Sequence, residues 1–463
     1  MKMKVLFSVF FSVIVTFCLT DNITNAQQSS VNGWKAGIAR AIITPQEPMW
    51  LAGYAARDHE SEGTLVDLWV KILAIQDAKG KKAVLITSDL LGYPRKMSDR
   101  IRDQIAIKYG LTRSQIILNC SHTHTGPVLD EALFDIYPVN AGQKEVIKRY
   151  SVSLEKKIVE LTGEAINSLA PAKIYSQNGV TRFQVNRRNN TEASIHLAND
   201  LNGPNDYAVP VLKITDNDST LVAVAFGYSC HATVLSTYQF SGDYPGFAQL
   251  ELEKLYPGTT AMFFQGAGAD QNPLPRRTIP LARQYGKELA AAVERVLSED
   301  MRELEPSLSS AYSEVDLKFS KPPSKEELIK IEKESQGYQK SWASNQLKIL
   351  KENGSLTTSY PYPCQVWRVG SQPIMVFGGE LVIEYSIELK KIYGPDIFIV
   401  GYANDDMAYI PSETILEEGG YEGESSMMVY GLPGKWETGI EAAIINEMKK
   451  LASMTGIKES VTK

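Results

Sequence analysis

Short apolar segments rich in β-branched residues alternate along this chain with longer segments of helical periodicity, and this alternation limits the folds open to it. The segments 68–75 and 83–88 flank the turn sequence Asp-Ala-Lys-Gly at 77–80, which predicts a β-hairpin. A second hairpin is predicted from the segments 209–214 and 221–226. The pattern therefore predicts an α/β protein whose core is a mixed β-sheet with antiparallel hairpins, flanked by helices.

The rest of the chain continues the same alternation. Helical periodicity is found over 97–109, 145–169, 246–255, 279–297 and 436–451. Buried strands are predicted over 115–120, 260–264, 374–377 and 397–402. A stretch rich in Lys and Glu at 320–355 is predicted to be a charged helical insertion, either a solvated face or a lid.

The composition is that of a globular protein with a large core. Hydrophobic residues make up 43% of the 463 residues and charged residues 22%, so the core does not depend on metals or disulfides. The formal net charge of -6 argues against a nucleic acid as the main partner. Beyond position 26 there are only three cysteines, Cys120, Cys230 and Cys364, which is too few for a disulfide scaffold and allows at most one bridge within the chain.

The first 26 residues have the layout of a signal peptide. Lys2 and Lys4 precede an apolar run over 5–19, and the stretch ends in Thr-Asn-Ala at 24–26. The run is too short to span a bilayer comfortably, although an uncleaved N-terminal anchor is the alternative. We expect cleavage near Ala26 and a mature chain, 27–463, that is secreted or periplasmic and has no transmembrane segment.

Two of the five histidines lie in one short motif after a predicted strand. In Asn-Cys-Ser-His-Thr-His-Thr-Gly-Pro at 119–127, His122 and His124 would project to the same face of an extended backbone. Both imidazoles would then lie at the C-terminal end of a strand, where α/β enzymes assemble their sites. The alternative is a polar strand end with one hydrogen-bonded histidine.

His231 follows another apolar strand, and the pairing of two such sites in a histidine-poor chain indicates a shared metal. Zinc would need a third donor, which is often a carboxylate. Glu380 follows the predicted strand 374–377 and the pair Gly-Gly at 378–379, which permits close backbone approach. The alternatives are a structural histidine and a helix-capping glutamate.

Taken together, these segments resemble the neutral, non-lysosomal ceramidase family, in order over most of the mature chain. The resemblance rests first on the opening Ala-Gly-Ile-Ala-Arg-Ala-Ile-Ile-Thr-Pro at 36–45, the Gly-Tyr-Ala loop at 53–55 and the His-Thr-His-Thr-Gly-Pro run. Further matching motifs are Asn-Arg at 186–187, Cys-His-Ala-Thr at 230–233, Ser-Gly-Asp-Tyr-Pro-Gly at 241–246, Gly-Glu at 379–380, Tyr409 and Gly-Tyr-Glu-Gly at 420–423.

The resemblance implies three sets of site residues: the zinc ligands His122, His231, Glu380 and Tyr409, the catalytic residues His124, Arg187 and Tyr421, and the substrate-binding residues Gly53, Tyr54 and Asp270. In such a site Zn²⁺ lowers the pKa of a bound water to about 7, so that hydroxide is available to attack an amide carbon. His124 would take the proton of the water and return it to the leaving amine. Arg187 and Tyr421 would stabilise the oxyanion or orient the polar head of the substrate.

Two departures from the family pattern stand out. Asp270 lies where the Gly-Asp-x-Ser-Pro-Asn run of the family has its serine, which leaves the metal-hydroxide route intact but removes any serine-dependent role. The chain also ends soon after the last motif, so we expect no C-terminal immunoglobulin-like domain and a single domain over 27–463.

The sequence thus predicts a secreted, zinc-dependent amidohydrolase that cleaves an N-acyl bond, with ceramide to sphingosine and fatty acid as the leading reaction. One alternative is a zinc hydrolase of another N-acyl lipid, a small amide or an ester, and a second is a non-catalytic lipid- or carbohydrate-binding module. A ceramide-sized hydrophobic cleft beside the metal would favour ceramide, and a closed polar pocket would favour the other substrates. The expected partners are a lipid or small-amide substrate and a transient membrane surface.

Overall fold

The structure is a computed structural model, and it describes residues 33–133, 136–191 and 201–460. The predicted signal peptide lies outside these residues. Within the described part of the chain, no helix combines the length and the apolar character needed to cross a bilayer.

Strands and helices alternate through the described residues, as the sequence pattern predicts. The strands are β1 (Trp34–Ile42), β2 (Gly63–Thr64), β3 (Trp69–Gln76), β4 (Lys82–Ser88), β5 (Ile116–Cys120), β6 (Ala170–Val180), β7 (Gln184–Asn186), β8 (Ala208–Thr215), β9 (Leu221–Tyr228), β10 (Gln239–Phe240), β11 (Thr260–Gln265), β12 (Gln271–Pro273), β13 (Arg302–Glu303), β14 (Leu308–Lys318), β15 (Ser359–Val369), β16 (Gln372–Phe377), β17 (Glu380–Leu381), β18 (Phe398–Val400) and β19 (Tyr409–Ile410). The helices are α1 (Arg95–Tyr109), α2 (Ala141–Asn167), α3 (Asp243–Leu255), α4 (Ile279–Leu297), α5 (Lys325–Glu334), α6 (Gly337–Asn353), α7 (Ile383–Tyr393), α8 (Glu413–Glu418), α9 (Gly420–Gly423) and α10 (Ile440–Met454).

The larger sheet is mixed and has the strand order β11-β9-β8-β6-β1-β3-β4-β5, with β13 added beside β6. Both predicted hairpins are confirmed, because β3 pairs antiparallel with β4 and β8 pairs antiparallel with β9. The outer pairs β4–β5 and β9–β11 are parallel. The fold class predicted from the sequence, a mixed sheet with antiparallel hairpins flanked by helices, is therefore confirmed.

A second sheet, with the order β14-β15-β16-β18, packs face to face on the first. The apolar layer between the two sheets contains Trp34 and Leu73 from the first sheet and Trp367 and Ile374 from the second. Helices cover the outer faces: α1 and α2, and separately α3 and α4, pack on the larger sheet, while α7 and α10 pack on the smaller one. Burial of these apolar layers is the main source of stability for such an arrangement.

Local signals explain several helix ends. The side chain of Asn140 accepts a hydrogen bond from the Gln143 backbone N–H at 3.0 Å, so α2 begins at 141 rather than at the predicted 145. The side chain of Thr278 caps α4 in the same way, and α1 ends at Gly110, which has a φ of +68°.

The structure differs from the sequence prediction at the last helix and in the second sheet. Trp436, predicted to begin the final helix, lies before α10 and is buried, with its Nε1–H donating to the Tyr409 carbonyl at 2.9 Å. The long strands β14 and β15 were not predicted, because exposed and buried positions alternate irregularly along β14. The predicted helical stretch at 320–355 contains the two helices α5 and α6.

The two edge strands of the larger sheet meet at their C-terminal ends, and Asn119 of β5 joins them. Its Oδ1 accepts a hydrogen bond from the backbone N–H of Gln265, at the end of β11, at 3.1 Å. Its Nδ2 donates to the carbonyl of Gly401, directly after β18, at 2.7 Å. Asn119 is fully buried, so one amide side chain connects three strand ends. The loops that follow these strands consequently converge on one region.

Candidate metal and active site

Three buried histidines come together where these strands end. His122 and His124 follow β5, and His231 follows β9. One ring nitrogen of each lies within 4.8 Å of the others, and within the described residues this is the group of His, Cys, Asp or Glu side chains whose geometry suits a metal ion. The two histidines of the motif reach the pocket through a turn and not through extended backbone, because His122 has a φ of +56°.

Each of two histidines has one ring nitrogen fixed by a backbone carbonyl. Nδ1 of His122 is 2.7 Å from the Leu91 carbonyl oxygen, and Nδ1 of His231 is 2.7 Å from the Gly268 carbonyl oxygen. A carbonyl accepts only, so each Nδ1 carries a proton and each Nε2 is the nitrogen left to bind a cation. This is the arrangement in which protein histidines bind metals.

The two Nε2 atoms face the same carboxylate oxygen. Oε2 of Glu380 lies 3.4 Å from Nε2 of His122 and 3.0 Å from Nε2 of His231. Nε2 of His122 and Oε2 of Glu380 are buried and have no hydrogen-bond partner among the described residues. Converging buried polar atoms without hydrogen-bond partners are costly unless a proton or a metal ion lies among them, so the donor set fits a metal ion.

The backbone places Tyr409 beside Glu380. The two residues are paired in register across the short parallel strands β17 and β19, and the hydroxyl of Tyr409 lies 3.4 Å from Nε2 of His231. Gly379 has a φ of +65°, and a Cβ there would lie 2.6 Å from the Ala408 carbonyl oxygen, so only glycine allows the two strands to approach this closely. The structure thus brings together all four predicted zinc ligands.

A proton on His122 balances the negative charge of Glu380 in this group. Burial opposes a charge on His122, but Glu380 and Asp406 outweigh it and raise the pKa of His122 to about 10, so a metal ion would bind here in exchange for the Nε2 proton. Burial and the positive charge of Arg187 lower the pKa of His231 to about 4. Burial alone would raise the pKa of Glu380, yet His122 and His231 hold it well below its usual range. Glu380 is therefore an anion that can neutralise a bound metal.

His124 lies beside this group with both ring nitrogens buried and without a hydrogen-bond partner among the described residues. Burial, followed by the charges of His122 and His231, lowers its pKa well below the usual value, so His124 is neutral. Its ring packs against Tyr54 at a centroid distance of 4.7 Å. A Cβ on Gly53, whose φ is +97°, would lie 2.4 Å from the His124 ring, so glycine at 53 makes room for the imidazole.

Arg187 connects the metal group to the outer part of the site. Its NH2 group donates to the Tyr409 hydroxyl at 3.1 Å, and its Nε–H donates to Glu422 at 2.7 Å. The guanidinium carbon lies 5.9 Å from the ring centre of Tyr421. Tyr421 also packs edge-on against Tyr409 and is 44% exposed. Arg187 and Tyr421 therefore lie side by side at the entrance to the histidine group.

Asp270 is the predicted site residue that the structure does not bring to a cavity. It is fully buried, and its carboxylate accepts hydrogen bonds from the Ile383 backbone N–H at 2.9 Å and from Asn186 at 2.8 Å. Its carbonyl also accepts from the Arg187 backbone N–H at 2.8 Å. Burial raises the pKa of Asp270 to about 6. These contacts hold the loop that carries Arg187.

Two cavities adjoin the histidine group. The outer cavity, of about 800 Å³, is open to solvent and lined by Gly53, Tyr54, His124, Arg187, Arg188, Asn189, Asn190, Thr191, Thr233, Asn272, Leu274, Arg276, Arg277, Tyr409, Glu418, Tyr421 and Glu422. The inner cavity, of about 240 Å³, is lined mostly by apolar side chains and reaches Asp406 and Tyr430. The outer cavity contains four arginines and five Asn or Thr side chains, so its walls are strongly polar.

Sequence reasoning missed two side chains that contact the predicted ligands. The Tyr430 hydroxyl donates to Oε1 of Glu380. Oδ2 of Asp406 lies 3.6 Å from Nδ1 of His122. Asp406 belongs to an Asn-Asp-Asp run after a predicted strand, which is a polar signal at a strand end, whereas no local pattern marks Tyr430.

His59 is on the surface, between Asp58 and Glu62, and does not belong to this group. His196 lies outside the described residues. Cys120, Cys230 and Cys364 are buried and form no disulfide, and the Sγ of Cys120 shares the Leu91 carbonyl with Nδ1 of His122.

Comparison with known proteins identifies a family and similar folds. Residues 34–272 match the family model described as neutral/alkaline non-lysosomal ceramidase, N-terminal. Among solved structures, the fold is similar to a crystal structure of neutral ceramidase from Pseudomonas aeruginosa, with a TM-score of 0.71, 18% identity, and coverage of 93% of this chain and 76% of that one.

A second structure, described as ceramidase complexed with C2, gives a TM-score of 0.70 at 16% identity, covering 93% of this chain and 77% of the other. At such identities the likeness shows the fold. A search of curated protein sequences gives no significant match. The family model spans more than half of the chain and includes both histidine motifs and Arg187, and so the chain belongs to the neutral/alkaline non-lysosomal ceramidase family.

Proposed function

We propose that this chain is a zinc-dependent amidohydrolase that cleaves an N-acyl bond, with Zn²⁺ held by His122, His231, Glu380 and Tyr409. The observation that carries the proposal is the convergence of two carbonyl-fixed histidines on one buried carboxylate oxygen. Nitrogen and oxygen donors of this kind are those that zinc prefers. Zinc also fits because the donor set includes an anion and two imidazoles whose Nε2 atoms face it.

Zinc bound here would act as a Lewis acid and lower the pKa of water at the site to about 7. His124 supplies the proton transfer, because it is neutral and its ring nitrogens are free to accept a proton. After bond cleavage the same nitrogen returns the proton to the leaving amine. The His124 ring packs against Tyr54, and the absence of a side chain at Gly53 leaves room for it.

Arg187 and Tyr421 are assigned to the substrate carbonyl. Arg187 keeps its positive charge, since Tyr409 and Glu422 outweigh the effect of burial and raise its pKa. Partial burial raises the pKa of the Tyr421 hydroxyl, so this group remains a hydrogen-bond donor. A fixed cation and a fixed donor beside the same carbonyl stabilise the charge that develops on its oxygen.

The leading candidate reaction is the conversion of ceramide to sphingosine and fatty acid, which the family membership supports. A different N-acyl compound is the second candidate, and the outer cavity favours it. Ligand cavities are usually lined by apolar side chains, and two aliphatic chains need such walls. Here the outer cavity, which includes His124, is lined mainly by arginine, asparagine and threonine.

Export and domain organisation belong to the same proposal. We propose cleavage near Ala26 and a secreted or periplasmic enzyme, on the layout of the first 26 residues. The residues from 27 onward are assigned to one catalytic domain, in which the charged helical pair α5 and α6 is an insertion. This assignment is supported by the apolar layers that α-helices and both sheets share.

The test is an assay of fatty acid release by the purified mature chain from ceramide and from a panel of other N-acyl substrates, with and without chelator. Chelator-sensitive cleavage of any amide, restored by about one equivalent of zinc, is expected. Cleavage that persists in the chelated protein would contradict the metal-dependent proposal. Zinc-dependent cleavage that excludes ceramide would replace the leading substrate by the second candidate.

A further inference from the structure

One arginine of the outer cavity has no carboxylate partner among the described residues. On one wall, Arg187 pairs with Glu422 at 2.7 Å, and Arg188 pairs with Glu422 and Glu418, both at 2.7 Å. The opposite wall contributes Arg277. No carboxylate among the described residues lies within salt-bridge distance of Arg277, so this guanidinium carries its charge into the cavity unpaired.

Arg277 is nevertheless held in a defined position. Its NH1 group donates to the Tyr54 hydroxyl at 2.9 Å, and its guanidinium carbon lies 5.1 Å from the centre of the Tyr54 ring. The Tyr54 hydroxyl in turn donates to the Leu235 carbonyl at 3.0 Å. The backbone of Arg277 has a φ of +86°, and its N–H donates to the Val234 carbonyl at 2.7 Å. A non-glycine residue in this conformation costs free energy, which the surrounding contacts must offset.

Tyr54 connects this cation to the reaction centre. The Tyr54 ring contacts the guanidinium of Arg277, and its centre lies 4.7 Å from the centre of the His124 ring. A ligand that reaches both His124 and Arg277 therefore spans about one tyrosine ring between its amide and its charged group. Ceramide has no anionic group, so an unpaired arginine at this place has no counterpart in the leading substrate.

We propose that Arg277 binds an anionic group on the polar part of the substrate, so that the preferred substrate is an N-acyl compound bearing a carboxylate, sulfonate or phosphate near the amide. This inference rests on the proposed amidohydrolase function. A guanidinium and an oxyanion form charge-assisted, often bidentate, hydrogen bonds. Such bonds gain strength when the bound ligand displaces water from the cavity.

The test compares substrates that differ only in charge. N-hexanoylglycine and N-hexanoyltaurine carry a carboxylate and a sulfonate close to the amide, and N-hexanoylethanolamine is the neutral analogue. For the unmodified holoenzyme, kcat/KM for each charged substrate is expected to exceed that for the neutral one by about tenfold or more, since one charge-assisted hydrogen bond is worth about that factor. The preference is expected to shrink as ionic strength rises.

The variant Arg277→Gln removes the charge and keeps a polar side chain. The ratio of kcat/KM between charged and neutral substrates is expected to fall about tenfold, through KM rather than kcat. Arg283→Gln is the matched control, because Arg283 is an exposed arginine on α4 that packs on Phe247 and does not line the cavity. The control is expected to keep the ratio of the unmodified enzyme.

Binding is measured separately by calorimetry with N-hexanoyltaurine in the His124→Ala background, in which turnover is suppressed. If N-hexanoyltaurine binds in a way that depends on Arg277, but the unmodified enzyme cleaves none of the substrates, the amidohydrolase function is refuted and the anion subsite is supported. Zinc-dependent cleavage with equal kcat/KM for charged and neutral substrates, unchanged in Arg277→Gln, would refute the subsite and leave the function standing. Inorganic phosphate that binds through Arg277 while the substrate ratio stays unchanged would likewise overturn the substrate assignment, since the cation would then serve a free anion.

Discussion

Replacing Tyr430 by phenylalanine is expected to weaken zinc binding without removing any ligand. The Tyr430 hydroxyl donates to Oε1 of Glu380, while Oε2 of the same carboxylate faces His122 and His231. The hydroxyl therefore holds the carboxylate in the orientation that points Oε2 at both imidazoles. Loss of a hydrogen bond to a charged group costs about 1.5–3 kcal/mol. At about 1.4 kcal/mol per factor of ten, the zinc Kd of Tyr430→Phe should rise about 10- to 100-fold.

The assay is a competition titration of the zinc-loaded protein with a chromophoric chelator, which reports Kd without any substrate. Tyr150→Phe is the matched control, because the Tyr150 hydroxyl donates to the Ile43 carbonyl at 2.7 Å and contacts none of the predicted ligands. The control should keep the Kd of the unmodified protein. A Kd for Tyr430→Phe within about twofold of the unmodified value would show that Tyr430 does not orient Glu380, and would refute the reasoning.

Three further perturbations address other parts of the structure. Gly53→Ala should lower kcat at least about tenfold while zinc content is kept, because its Cβ would lie 2.4 Å from the His124 ring; an unchanged kcat would mean that the position of His124 does not matter. Asn119→Leu should destabilise the fold by about 2–5 kcal/mol in urea unfolding, because buried backbone groups of Gln265 and Gly401 lose their partners; a loss below about 0.5 kcal/mol would count against this junction. Burial raises the pKa of Asp405 to about 7. The pKa of Asp405 in the folded state lies above its pKa in the unfolded state. The contribution of Asp405 to the free energy of unfolding is therefore full below about pH 4 and is lost as the pH rises to about 7. Asp405→Asn should therefore flatten the fall in unfolding free energy across that range, and an identical pH profile in the variant would contradict the shift.

Much of the fold follows from local pattern in the sequence. Alternation of apolar strands with amphipathic helices predicts the two hairpins, and α4 has the predicted bounds, because Thr278 and Leu297 mark its ends clearly. The junction at Asn119 could not be predicted. It depends on the curvature of a whole sheet, which brings together edge strands that are far apart in strand order. The strand β14 was missed because its exposed and buried positions do not alternate.

The site residues, too, include some that local sequence pattern predicts and others that it does not. His122, His231 and Glu380 each follow an apolar strand, so their meeting at strand ends was predicted from chain pattern. Tyr409, Tyr421 and Arg187 entered through the family resemblance, since no spacing rule marks them. Tyr430 lies in a loop whose position is fixed by the helical pair, where Trp342 and Gln346 of α6 donate to the carbonyls of Leu432 and Gly431. Such a contact depends on tertiary packing alone and leaves no local signal.

The role of His124 is the point at which geometry and resemblance differ. Its ring nitrogen lies within 4.8 Å of those of His122 and His231, so the three could share one ion. The family resemblance instead leaves His124 unbound and assigns it to proton transfer. His124→Ala should keep about one zinc per chain and lose turnover if it is the proton carrier. Loss of the zinc in this variant would make it a ligand.

The position of the metal itself tests the account most directly. A crystal of the zinc-loaded mature chain, measured on both sides of the zinc absorption edge, gives an anomalous difference map that locates the ion. We expect a single peak at about 2.0–2.2 Å from Nε2 of His122, Nε2 of His231 and Oε2 of Glu380. A map without a peak between these three atoms, or with the zinc elsewhere on the chain, would contradict the proposed metal centre.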